Sequence, residues 1–309
     1  MPALRDLVAE ELRTPVDPRV SAMAEAIAAK HAPASRAVLF YGSCLRQQQL
    51  EGLMLDFYLI VSDYRSAYPK RWLATANRLI PPNVFYFEHD GLVAKYAVLS
   101  EADFARECGA NAFTVSTAAR FAQPARLVWS ADAQAGSRVL DAVGSAAPTL
   151  LKWTLPLAGD ESPEGLWKRA FALTFAAELR AERLDRSYSI VDADPPRYDQ
   201  FGLRALQAIA ESRGEVPEGE VPLSKSEARA ARWWKKMQRR GKWYSVARLA
   251  KASFTFAGGV DYIAWKINRH AGTDIQIKPW QRRRSDRSLR KPDLRPGHQR
   301  RDHARDDGT

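Results

Sequence analysis

Val38-Leu39-Phe40-Tyr41-Gly42-Ser43 is followed, after the polar segment Cys44 to Gly52, by Leu55-Asp56-Phe57-Tyr58-Leu59-Ile60-Val61. Short apolar runs bounded by turn residues read as buried strands. Gly-Ser closes the first run, and the second carries one carboxylate. Glycine lets a backbone approach a ligand closely, and exposed amides beside a serine hydroxyl can bond phosphate oxygens. A carboxylate inside an apolar strand is costly to bury without a partner. Mg²⁺ is one such partner, since it takes one or two carboxylates together with substrate phosphates. The same residues also have a plainer account. Gly-Ser is ordinary turn chemistry, and an Asp on an edge strand can simply face water.

With 309 residues the chain exceeds a typical single domain, and its 46% hydrophobic content suits a real core. Cys44 and Cys108 are its two cysteines, which argues against a disulfide framework and for a reducing compartment. Met1 to Glu11 is charged and amphipathic, without the apolar centre of a signal peptide. No run reaches the length of a membrane span, so any membrane contact is expected to be peripheral. The net charge of +11 is local: residues 228–251 contribute +9 and residues 282–309 a further +5, leaving the remainder at −3. Clustered basicity points to a polyanionic partner, either nucleic acid or anionic lipid.

The pattern predicts two short helices within residues 1–30, then an α/β region. Its elements are strands at Val38–Tyr41 and Leu55–Val61, a helix at Tyr68–Arg78, strands at Val84–Glu88 and Leu92–Leu99, a helix at Phe113–Ala122 and a strand at Ala125–Trp129. His89-Asp90-Gly91 between two of these runs is a hairpin signal. Later, Leu166–Leu184, Tyr198–Glu211, Ser224–Arg240 and Val246–Ile267 carry helical periodicity. The tail from Gln281 is almost devoid of apolar residues, which predicts disorder. The expected fold class is α/β (α+β): a mixed-sheet domain over 1–145, an all-helical domain over 146–280 and a disordered basic tail over 281–309.

Three segments together resemble the mitochondrial-type phosphatidate cytidylyltransferases, the translocator assembly and maintenance family of the nucleotidyltransferase superfamily. They are Tyr41-Gly42-Ser43 with Gln47 to Gln49 and Asp56-Phe57; Ala94-Lys95-Tyr96-Ala97-Val98-Leu99; and Ala119-Arg120-Phe121-Ala122-Gln123-Pro124-Ala125-Arg126. The likeness covers about residues 36–130, in matching order and approximate spacing. The superfamily's second acid, two residues after the first, is Tyr58 here. The resemblance implies a nucleotidyltransferase-like catalytic domain and a transfer of CMP from CTP to phosphatidic acid, making CDP-diacylglycerol on the cytosolic face of a membrane. It implies Mg²⁺ as the cofactor. Other acceptors, such as tRNA or a small phosphorylated metabolite, stay open, as does a catalytically degenerate member that only binds lipid or nucleic acid.

On that basis Gly42 and Ser43 are expected to cradle nucleotide phosphates, and Asp56 to ligate Mg²⁺. Glu88, ending the strand Val84–Glu88, is the candidate second metal ligand, with Asp63 behind it because strand alternation turns it to the opposite face. Lys95 sits in an apolar strand where an unpaired ammonium is costly; it is expected to reach a phosphate, unless it snorkels from an edge. Arg120 offers a planar fork for phosphate, or it complements a helix C-terminus. The helix 229–244, with Arg232-Trp233-Trp234-Lys235-Lys236-Met237 and Lys242-Trp243-Tyr244, is expected to meet an anionic membrane surface in preference to nucleic acid. Packing of Trp233, Met237 and Tyr244 in the core is its structural alternative. Phe254 to His270, with Gly258-Gly259, reads as core packing at helical spacing.

Overall fold

β-branched and aromatic residues dominate the apolar runs, and they pair into one five-stranded mixed sheet. The computed structural model describes residues 3–47, 50, 52–158, 162–178, 185–212 and 223–255, all in a unit spanning Met1–Gly259. Helices α1 (Leu4–Arg13) and α2 (Pro18–Lys30) come first, with Asp17 capping α2 through the Arg19 amide. Strand β1 (Ser35–Tyr41), the short helix α3 (Ser43–Gln47) and β2 (Met54–Val61) follow. Next are α4 (Tyr64–Ala67), α5 (Arg71–Leu79) and the hairpin β3 (Asn83–His89) and β4 (Leu92–Ser100). Then come α6 (Glu101–Cys108), α7 (Ser116–Phe121), β5 (Ala125–Ser130), α8 (Ala133–Gly144) and α9 (Ala146–Ala158). The chain continues through α10 (Pro163–Ala177), α11 (Asp185–Asp192), α12 (Pro195–Ser212) and α13 (Leu223–Thr255).

The sheet order is β3-β4-β2-β1-β5, with β2 and β4 parallel and the other neighbours antiparallel. β2 is central and buried on both faces, which is why its sequence is nearly continuous in apolar residues. One face packs Val38, Phe57, Leu59 and Val98 with Met23 and Ile27 of α2. The other packs Leu39, Ile60 and Leu99 with Phe104, Leu150, Trp167 and Phe171. The helices after residue 145 therefore share one hydrophobic core with the sheet.

Three local differences from the sequence reading have physical causes. The helix expected at Tyr68–Arg78 starts only at Arg71, because the residue before Pro69 is pushed out of the helical region; Tyr68 is extended, at φ −126° and ψ 127°, and separates α5 from the short helix α4 before it. The hairpin turns on Asp90 and Gly91, both at positive φ (47° and 73°), with His89 still in the strand, the geometry of a tight two-residue turn. Gly241 does not interrupt the last helix. A Cβ there would lie 2.1 Å from the Ala177 carbonyl oxygen, so this glycine permits α10 and α13 to cross closely. Asp63 caps α4 by accepting from the Arg65 and Ser66 amides. Among the described residues no helix is long and apolar enough to cross a membrane. The tail from 281 and the segment Phe256 to His270 lie outside the described residues.

Candidate functional site

Strand register lines up one residue from each strand in a row across the sheet: Tyr86, Lys95, Asp56, Tyr41 and Ala125. Paired residues share a face, here the face that carries α7 to α10. Lys95 Nζ lies 3.1 Å from Asp56 Oδ1, with the carboxylate side chain 17% exposed. The cost of an acid in the central strand is thus offset by a cation on the parallel neighbour.

β1 ends at Tyr41, and Gly42 turns the chain at φ +98°, where a Cβ would come within 3.0 Å of Asp56 Oδ2. The bare Cα of Gly42 therefore rests against the second carboxylate oxygen. Ser43 begins α3 directly after this turn. The structure so brings together Gly42, Ser43, Asp56 and Lys95.

Arg120 projects from α7 over the same face. Its Nη1 donates to the Ser116 carbonyl at 2.6 Å, to Ser116 Oγ at 2.6 Å and to Glu178 Oε1 at 3.3 Å. Burial works against its charge, but the Glu178 carboxylate overrules this, with Tyr58, Tyr41 and Asp56 adding to it, and the guanidinium is held more firmly protonated than usual. Burial, and Asp56 beside it, push the Tyr41 phenol well above its ordinary range. From α13, Arg248 donates to Ser116 Oγ at 3.3 Å and to the Pro81 carbonyl at 2.8 Å. Burial lowers its pKa and Arg120 adds to the lowering, while Tyr58 opposes it. Ser116 in turn donates to Glu178. Glu178 and Arg248 had no signal in the sequence, because they meet the Ser116–Arg120 pair of α7 only through tertiary packing. Ser116, one turn before Arg120 on α7, is a local neighbour that the sequence reading passes over.

Glu88 is not brought to Asp56. It pairs with Val93, and β4 stands between its strand and β2. That places it two strand spacings across and two residues along from Asp56, roughly 12 Å, where it accepts from the Tyr86 hydroxyl. Glu88 therefore does not serve as the second ligand beside Asp56, because β3 folds back by a hairpin onto the outer edge of β4 and does not border β2.

The position two residues after Asp56 is equally clear. Tyr58 is 3% exposed, with its ring 5.1 Å from that of Phe121 and 5.3 Å from that of Tyr41. An acid there would sit among aromatic rings.

The donor set can be tested against Mg²⁺. Among the described residues no group of three or more His, Cys, Asp or Glu could hold a metal ion. One carboxylate with substrate phosphates fits a single Mg²⁺; two ions sharing two carboxylates do not fit these residues.

In the distal helix, Trp234 and Met237 are buried. Trp233 stacks on Trp153 at 5.0 Å, and the Tyr244 hydroxyl donates to the Leu79 carbonyl at 3.0 Å. Three of the four aromatic residues at 229–244 are therefore held by internal contacts, while Lys235, Lys236, Arg239, Lys242 and Trp243 face outward. Comparison of the chain with protein-family models and with curated proteins finds no match.

Proposed function

We propose that this chain is a Mg²⁺-dependent nucleotidyltransferase that transfers CMP from CTP to phosphatidic acid at the cytosolic face of a membrane. The observation that carries the reading is the side-chain-free backbone of Gly42 resting on the carboxylate of Asp56, with Lys95 on its other oxygen. Gly42 and Ser43 bind the triphosphate through backbone and hydroxyl. Asp56 would hold Mg²⁺ together with phosphate oxygens, and the chemistry it would supply there is neutralisation of charge on the triphosphate. Lys95 orients Asp56 and presents a second cation to the same phosphates. Arg120, fixed by Ser116 and Glu178, keeps a permanent positive charge over that face. Such fixed charges need no reorganisation during the reaction.

The test is purified protein with labelled CTP, Mg²⁺ and phosphatidate in mixed micelles. Formation of labelled CDP-lipid supports the proposal. CTP consumption only with a soluble acceptor redirects it to another nucleotidyl acceptor. The single carboxylate, with Tyr58 in the aromatic core, favours one further reading: a chain that binds nucleotide without turning it over. Nucleotide-dependent thermal stabilisation with no product in any assay would establish that.

A further inference from the structure

Seven large hydrophobic residues are exposed among the described residues: Trp72, Leu79, Phe113, Leu203, Trp243, Val246 and Leu249. All but Leu203 fall on three segments that touch one another. Trp72 and Leu79 are two turns apart on α5, and the Leu79 carbonyl accepts from Tyr244 of α13. The Phe113 ring lies 4.9 Å from the Tyr244 ring, with the Arg240 guanidinium over the Phe113 ring 4.4 Å from its centroid. Trp243, Val246 and Leu249 repeat at helical spacing on α13, opposite the side that buries Trp234, Met237 and Gly241. The same outward ridge carries Arg232, Lys235, Lys236, Arg239 and Lys242. Residues 228–251 contain no acid.

We propose that the outward ridge of α13, together with Leu79 and Trp72 of α5, docks this protein onto an anionic bilayer surface. The chemistry selects that occupant. Cations are attracted to anionic headgroups, and Trp settles at the membrane–water boundary. Exposed Leu and Val gain from the acyl boundary of a bilayer, whereas nucleic-acid recognition rewards ring stacking and leaves aliphatic side chains without a partner. Protein interfaces are depleted in Lys, which is abundant here. The inference rests on the membrane-facing part of the proposed function but not on catalysis. It replaces Trp233 and Trp234, which are packed inside, as the apolar contacts with Trp243, Val246 and Leu249 further along α13 and with Trp72 and Leu79 on α5, and keeps the outward cations of α13.

The experiment is co-sedimentation of the full chain with vesicles of phosphatidylcholine alone or with added phosphatidylglycerol. Two variants accompany the wild type: the triple change Trp243→Ser, Val246→Ser, Leu249→Ser, and the charge reversal Lys235→Glu, Lys236→Glu, Arg239→Glu. All six side chains are exposed, so circular dichroism should be unchanged. Binding only to the anionic vesicles, weakened by roughly tenfold or more in each variant and by added salt, is the expected result. Wild-type binding that neither variant reduces overturns the assignment of this face. So does a wild type that ignores anionic vesicles, that prefers single-stranded nucleic acid, or that is a dimer which the triple variant separates. Vesicle binding is read without nucleotide, so losing it leaves the catalytic proposal standing, and a catalytic failure leaves it untouched.

Discussion

Lys95 and Asp56 occupy the same register position on parallel neighbours β4 and β2, with Nζ 3.1 Å from Oδ1. The two charges therefore form a unit, and the consequences of removing each differ. Asp56→Asn leaves Lys95 beside a neutral amide, with about a third of its side chain exposed to water, so the stability cost should stay near 1 kcal/mol. Lys95→Met leaves the more deeply placed carboxylate without its cation, and should cost more, about 2 kcal/mol. Both should abolish turnover. Urea denaturation checks the order of the two costs; a Lys95→Met protein no less stable than Asp56→Asn would contradict it, and additive losses in the double variant would mean that the pair is not coupled.

Gly42→Ala should act on the site before the fold. The new Cβ meets Asp56 Oδ2 at 3.0 Å, and the backbone stands at φ +98°, a conformation costing a non-glycine residue about 1–3 kcal/mol. Nucleotide-dependent stabilisation should fall to near zero, because the methyl covers the carboxylate oxygen. Gly52→Ala is the control. It also has a positive φ, at 71°, but nothing lies within 4 Å of its Cβ. It should lose stability while keeping the nucleotide response. Equal responses in the two variants would remove Gly42 from the site.

Much of the sheet was legible in the sequence because strands β1, β2, β4 and β5 are apolar runs with turn chemistry at their ends. The order of the strands was not. The hairpin signal at His89-Asp90-Gly91 pairs Val84–Glu88 with β4, but nothing local says that β2 takes the other edge of β4, and that placement separates Glu88 from Asp56. The absence of an acid at Tyr58 was visible, but its reason, aromatic packing against Phe121, needed helix α7 in place. Glu178, 58 residues from Arg120, could not be paired with it from sequence spacing. In α13 the interleaved Trp and Lys leave a membrane face and core packing both open, because a helix distributes adjacent residues to different sides; the structure divides them, with Trp234 2% exposed and Trp243 76%.

Gly241→Ala should be the most destabilising small substitution on α13. Its Cβ would fall 2.1 Å from the Ala177 backbone oxygen, and backbone cannot rotate away as a side chain can. The α10–α13 contact must then open, at about 2–4 kcal/mol. Because Glu178 follows Ala177, the Arg120–Glu178 pair should loosen with it. Gly144→Ala, with no atom within 4 Å of its Cβ, should be neutral or stabilising by about 0.5 kcal/mol. Thermal melts of the two variants provide the comparison, and a Gly241→Ala protein as stable as Gly144→Ala would contradict the close crossing.

His31 should make the fold sensitive to acid. The ring is 7% exposed; Nδ1 lies 3.0 Å from the Ala67 carbonyl and Nε2 3.0 Å from the Tyr96 hydroxyl. The carbonyl accepts from Nδ1–H, so Nε2 accepts from the phenol and the imidazole is neutral. Burial lowers the His31 pKa below its usual 6.5, with Lys30 adding to it and the Ala67 carbonyl opposing. A folded-state pKa below the unfolded one means that the unfolded chain takes up the proton first. The stabilisation is therefore present above pH 6.5 and is lost as pH falls through the folded-state value. His31→Gln gives up the ring contacts with Tyr68 and Tyr96 and should cost about 1–2 kcal/mol at neutral pH. It should also flatten the fall in stability below pH 6.5, because glutamine does not titrate. Urea midpoints measured across that range for both proteins decide the point, and parallel curves would show that His31 titrates alike in the folded and unfolded chains.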